Sequence, residues 1–118
     1  DFCKIKSPLK ALKNLFKRKN KFYAVTLGEN GVMWIENHQV YLCKPLKIKV
    51  VETNGAGDVF HGAFAYSVDQ NNDISHAIKF ATAAATLKCT KKGGIKSLPS
   101  LSSVNKLAAK LKIIKVLT

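Results

Sequence analysis

The residues of this chain whose types and spacing could do chemistry are gathered in Asn54-Gly55-Ala56-Gly57-Asp58. An apolar run precedes them and a second follows, which predicts a turn from a strand into a helix. The first turn of a helix leaves backbone N–H groups without acceptors, and the helix dipole adds positive potential there. Together these favour an anion. Gly55 and Gly57 carry no Cβ that would hold a phosphate off the backbone, and Ala56 adds only a methyl. Asp58 sets a carboxylate beside that anion site, where it can take the proton of a hydroxyl attacking a phosphoryl group. Two other phosphate motifs are excluded. The phosphate loop G-x-x-x-x-G-K-S/T is absent. The dinucleotide fingerprint G-x-G-x-x-G fails, because the next glycine after Gly57 is Gly62, two positions too late. An ordinary strand-to-helix turn with Asp58 as a first-turn acid would look the same, so the loop and acid alone leave both readings open.

The elements that must hold this loop follow from periodicity and turn signals. Ser7 to Arg18 reads as an amphipathic helix, with Ser7 as cap and Pro8 at its first position. Phe22 to Leu27 reads as a buried strand, and Asn30-Gly31 as a hairpin signal. Val32–Glu36 and Gln39–Cys43 are predicted strands around a turn at Asn37-His38, and Pro45 ends that pattern. Leu46 to Val51 is the last predicted strand. Asp58 to about Val68 is a predicted helix, apolar around most of its circumference and so expected to be buried. Asp73 caps a long Ala-rich helix through Leu87, with Ile78, Ala81, Ala84 and Ala85 facing inward. Ser100 to Lys112 is the predicted final helix, with Leu101, Val104, Leu107, Ala108 and Leu111 spaced for burial. This order of elements is an α/β pattern without internal repeats, and no domain boundary is expected within it.

Composition narrows the classes of function. The 118 residues are 47% hydrophobic, enough for one modest packed domain, and no apolar run reaches the length of a membrane helix. The chain lacks a signal-peptide pattern and does not begin with Met, which fits a piece of something longer. Cys3, Cys43 and Cys89 form no C-x-x-C pair, so reduced, buried thiols in a cytoplasm are expected and a zinc site is not. The formal net charge of +13 raises a basic nucleic-acid-binding module as an alternative. Against it, Arg18 is the only Arg, the lysines are spread from Lys4 to Lys115, and no RNA-stacking motif occurs. Among other polar candidates, His61 suits packing or capping, His38 a turn and His76 a first helical turn. Trp34 suits sheet core rather than a stacking platform, and Lys88, Lys91 and Lys92 suit a solvated helix end, with contact to phosphates as the alternative.

The stretch Glu52 to Phe64 resembles the second signature of the ribokinase-like (pfkB) family of carbohydrate kinases, D-T-x-G-A-G-D-x-F-x-x-G. Thr53, Gly55, Ala56, Gly57, Asp58, Phe60, Gly62 and Ala63 follow it in order. Thr26-Leu27-Gly28-Glu29-Asn30-Gly31 resembles the family's strand-end turn. Phe80 to Ala85, continuing through Cys89-Thr90-Lys91-Lys92-Gly93-Gly94 to Ser97-Leu98-Pro99, resembles its C-terminal helix and nucleotide loop. The resemblance covers about Phe22 to Pro99 and implies the C-terminal, nucleotide-binding and catalytic part of a three-layer α/β/α domain, residues 1–118, without the N-terminal sugar-binding half.

The resemblance further implies ATP-dependent phosphorylation of a sugar hydroxyl. Asp58 would be the general base, and the N–H groups of Gly55, Ala56 and Gly57 the anion hole. Thr26, Gly28, Gly31, Thr82 and Gly94 would approach the nucleotide, Thr82 near adenine. The implied cofactors are ATP and Mg2+, with K+ held through Glu52, Asn54 and backbone around Cys89, Lys92, Gly94 and Ser97. The implied setting is a cytoplasmic enzyme, a homodimer in its full length. Two positions depart from the signature. Glu52 stands where Asp is usual, its carboxylate one methylene further out, and Asn54 stands where Thr is frequent. A nucleoside kinase and an inactive remnant are the alternatives of the same fold.

Overall fold

A computed structural model of the chain describes residues 23–26, 31–46, 55–90 and 99–116. The predicted helix Ser7–Arg18 lies outside these, as does the predicted strand Leu46–Val51 apart from Leu46. The chain divides into two compact units, one of Asp1–Lys44 with Ile113–Thr118 and one of Pro45–Lys112.

The first unit is a sheet of four strands in the order β1 (Tyr23–Thr26), β2 (Val32–Glu36), β3 (Gln39–Lys44) and β4 (Lys112–Lys115). β1, β2 and β3 run antiparallel, with Thr26 opposite Val32 and Val32 opposite Cys43. The β2–β3 turn is the predicted Asn37-His38 pair, both with positive φ, 51° and 65°. Two left-handed residues give the turn a twist that matches the strands it joins. Val32, Met33, Trp34 and Ile35 are all buried, so β2 is covered on both faces. Trp34 is fully buried, its ring stacked on Tyr41 at 5.4 Å between centroids and its Nε1 donating to Glu36 Oε1 at 3.4 Å. It is sheet core, as its surroundings in sequence suggested.

The second unit holds helices α1 (Ala56–Asp69), α2 (Ile74–Lys88) and α3 (Leu101–Ala108). α1 ends on Asn71 at φ 66°, where Asn71 N–H donates to Val68 O at 2.9 Å and Asn72 N–H to Ser67 O at 3.3 Å. A left-handed residue of this kind satisfies the last carbonyls of a helix, and Asn tolerates the conformation. Asn72 Nδ2 also donates to the hydroxyl of buried Ser67 at 3.1 Å. Asp73 Oδ1 accepts from His76 N–H at 2.8 Å and caps α2, as its position predicted. The four-residue link and the packing of α1 on α2 make an antiparallel helical hairpin. Along it Tyr66 stacks on Phe80 at 5.7 Å. Ile78, Ala81 and Ala84 are buried as expected, and Ala85 is half-buried.

α1 and the last helix differ from their expected extent. α1 is not buried all round: only Phe60 and Ser67 are, while Gly62, Ala65, Tyr66 and Val68 are exposed. Its apolar circumference is built partly of Gly and Ala, and among the described elements its main packing partner is α2 alone. The last predicted helix is also shorter. Lys110 and Leu111 bond to Leu107 and Ala108, three residues back, which tightens and ends the helical turn. The β-branched Ile113 and Ile114 then form β4, and Val116 N–H donates to Val40 O at 2.9 Å beside β3. Leu101, in the first turn of α3, is 53% exposed, while Val104, Ala108 and Leu111 are buried.

Candidate active site

Gly55 is the N-cap of α1, with φ 81° and ψ 0°. That left-handed conformation is one glycine adopts without steric cost. Val59 N–H donates to Gly55 O at 2.9 Å, which fixes the start of the helical ladder. The N–H groups of Ala56, Gly57 and Asp58 therefore have no helical acceptor ahead of them. A Cβ placed on Gly55 or Gly57 would meet nothing within 4 Å, so no described packing accounts for the missing side chain at either position. Asp58 sits exposed in this first turn. The helix begins at Ala56, two residues earlier than predicted, so Ala56 and Gly57 belong to the helix itself. The arrangement suits an oxyanion, with backbone donors and dipole aimed at it and a carboxylate alongside.

Gly57 is an unusual choice by local physics. It lies in a helix, where Ala is better, and nothing in the described structure requires its lack of a side chain. Gly57→Ala should stabilise the chain by about 0.5 kcal/mol in urea unfolding while weakening phosphate and ADP binding, because the new methyl displaces the anion. Gly62→Ala, at an exposed position of the same helix, should gain similar stability without that loss. Equal ligand binding by the two variants would contradict the assignment.

The hairpin brings a second region to the same end. Taking the Tyr66–Phe80 contact as a level, Asp58 lies eight residues before Tyr66 and Lys88 eight residues after Phe80. At about 1.5 Å per residue, both are carried about 12 Å toward the open end of the antiparallel pair. The end of α2 thus shares that end with the start of α1. There Cys89 caps α2, and burial pushes its thiol up from its ordinary range, against a smaller downward pull from the Lys88 charge. A thiol held neutral in this way is a poor nucleophile.

Two buried polar groups on α2 have no partner. Thr82 is 4% exposed and its Oγ1 has no hydrogen bond, and Lys88 is 2% exposed and its Nζ has none. Buried Ser67, by contrast, is satisfied through Asn72. Thr82→Val keeps the shape and removes the orphaned hydroxyl, so it should raise stability by about 1 kcal/mol. Urea unfolding checks this, and a loss of stability would mean that the hydroxyl is bonded in solution. Lys88 was expected at a solvated helix end and is instead enclosed. The signal lay in the sequence: Ala77, Ala81, Ala84 and Lys88 share one helical stripe, and the three alanines are buried.

Of the other predicted site residues, Thr26 ends β1 and is exposed. Gly31 is buried at φ 101°, where an added Cβ would collide with the Cys43 carbonyl oxygen. The β2–β3 pairing therefore requires glycine here on structural grounds alone. His61 is exposed, its ring edge-on to Phe60 at 5.9 Å. Gly28, Glu52, Asn54, Lys92, Gly94 and Ser97 lie outside the described residues. Among the described residues no His, Cys, Asp or Glu cluster could hold a metal ion, and no helix is long and apolar enough to cross a membrane.

The fold is that of the ribokinases. The crystal structure of ribokinase from Thermotoga maritima matches with a TM-score of 0.77 at 32% sequence identity, over 85% of this chain and 34% of that one. This is the α/β class that the order of elements predicted. The model of the pfkB family carbohydrate kinases matches residues 3–101, and the chain belongs to that family. Ribokinase of Lactococcus lactis subsp. lactis is 38% identical over 114 residues, 97% of this chain and 37% of that protein. Deoxyribokinase of Salmonella typhi is 37% identical over 81 residues, 69% of this chain and 26% of that protein. The chain thus spans between 26% and 37% of the length of these two curated relatives.

Proposed function

We propose that this chain is the nucleotide-binding and catalytic portion of a cytoplasmic sugar kinase, with Asp58 as general base and the N–H groups of Gly55, Ala56 and Gly57 as the anion hole. The observation that carries this reading is the open, glycine-capped N-terminus of α1 with an exposed carboxylate in its first turn. A phosphate suits this donor set, since the first-turn amides have no helical acceptor and the helix dipole favours an anion. ATP with Mg2+ supplies the activated phosphoryl group. Asp58 accepts the proton of the sugar hydroxyl as that oxygen forms its bond to phosphorus and the bond to the leaving nucleotide breaks. The backbone donors hold the charge that spreads over the transferred group, which is the larger part of catalysis in phosphoryl transfer. Family membership and the ribokinase and deoxyribokinase relatives make a pentose the first substrate to test.

Residues beyond the 118 would supply the sugar-binding half. The full-length protein should then phosphorylate a pentose with ATP, while the 118-residue chain alone binds nucleotide weakly and transfers nothing. A coupled ADP-release assay with ribose and deoxyribose decides this. Efficient sugar phosphorylation by the 118 residues alone would overturn the division of labour, and no transfer to any sugar by the full-length protein would overturn the activity.

A further inference from the structure

We infer that the ammonium of Lys88 is a charged contact for the oxyanion received by the N-terminus of α1. Two independent features meet at one end of the hairpin. The first is the glycine-capped N-terminus of α1, with the amides of Ala56, Gly57 and Asp58 unclaimed by the helix. The second is Lys88, the last residue of α2, 2% exposed and with no hydrogen-bond partner at Nζ. The antiparallel pairing fixed by Tyr66 and Phe80 carries Asp58 and Lys88 equally far toward that end.

A buried ammonium without a counter-charge is strongly unfavourable, so such a group is retained where something else completes it. The described carboxylates do not. Asp58 is exposed and does not bond Lys88, and Asp73 caps the opposite end of α2. Glu36 is hydrogen-bonded within β2, and Asp69 ends α1 at the closed end of the hairpin. Among the described residues, the chemistry of the right sign at this end of the hairpin is the anion that the α1 amides attract. Backbone N–H groups and one ammonium together form a donor set for a phosphate-class oxyanion, in which the point charge of Lys serves without the planar geometry of Arg. The identity of that anion as a nucleotide phosphate rests on the function proposed above, whereas the anion site itself does not.

The test uses the 118-residue chain with inorganic phosphate and, separately, with ADP. Lys88→Met removes the charge and keeps the apolar stem, and Lys88→Gln is a second neutral variant should the first fail to fold. Lys106→Met, at an exposed position of α3, is the control. Without ligand, Lys88→Met should unfold at higher urea than the wild type, because an unpaired buried charge has been removed. Phosphate should stabilise the wild type and the Lys106→Met chain. Its apparent affinity should fall about 10- to 100-fold in Lys88→Met, the loss of one charged hydrogen bond. Undiminished phosphate binding by both neutral variants overturns the inference, and so does an absence of phosphate binding by the wild type. ADP separates the two proposals. ADP bound equally by wild type and Lys88→Met overturns the role of Lys88 and leaves the kinase reading standing. Lys88-dependent phosphate binding with no ADP binding supports the site and counts against a nucleotide as its occupant.

Discussion

If the full-length protein acts as the proposed kinase, Asp58→Asn should lower its kcat by about 10²–10⁴-fold, roughly 3–5 kcal/mol of barrier, and leave nucleotide affinity nearly unchanged. Asn keeps the shape of Asp and stays in the first turn of α1, but it cannot accept the proton of the attacking hydroxyl. The proposed anion hole is backbone, and a side-chain change at Asp58 leaves the N–H groups of Gly55, Ala56 and Gly57 in place. The loss should therefore appear in kcat and in kcat/KM for the sugar, with ADP affinity by calorimetry held. A variant with near-normal turnover would remove Asp58 from the role of base. A variant that lost ADP binding with its turnover would show that the carboxylate organises the anion site, which is a different mechanism.

The sequence made this end of α1 legible because its chemistry is local. Glycines at Gly55 and Gly57, an acid at Asp58 and a following helical pattern are all contained in one turn, and turn geometry depends on near neighbours. The Asn37-His38 hairpin and the Asp73 cap were legible for the same reason. What could not be read depended on packing. The apolar circumference of α1 suggested full burial, but periodicity does not reveal how many elements a helix meets. The spacing of Leu107, Ala108 and Leu111 suggested a helix reaching Lys112, yet the helix stops at Ala108 and Lys112 to Lys115 pair beside β3. Lys88 was read by its charge as solvated, whereas its place on the alanine stripe settles its burial.

Gly31 has a structural task in addition to the nucleotide contact that the family resemblance implies. Gly31→Ala should destabilise the strand unit by about 3 kcal/mol or more, combining left-handed strain at a non-glycine residue with a backbone clash. Its φ of 101° is unfavourable for Ala, and the new Cβ would land on the carbonyl oxygen of Cys43, the residue opposite Val32 in the β2–β3 register. A carbonyl within a strand cannot turn aside as a flexible side chain can, so β2 and β3 would have to separate where they begin to pair. Trp34 is the only tryptophan and is fully buried in β2, so its fluorescence reports the loss directly. The urea midpoint followed by that signal should fall well below that of the wild type. A Gly31→Ala chain with an unchanged Trp34 transition would show that the turn relaxes without strain.

The claim on which the functional account rests is that the N-terminus of α1 receives nucleotide phosphate. Amide chemical-shift mapping of the 118-residue chain during titration with ADP addresses it residue by residue. Saturable shifts are expected at the Gly55, Ala56, Gly57 and Asp58 amides, with Lys88 and Cys89 responding at the adjoining end of α2 and the Gln70–Asp73 link at the far end unmoved. Saturable ADP binding that leaves the Gly55–Asp58 amides where they were would contradict it.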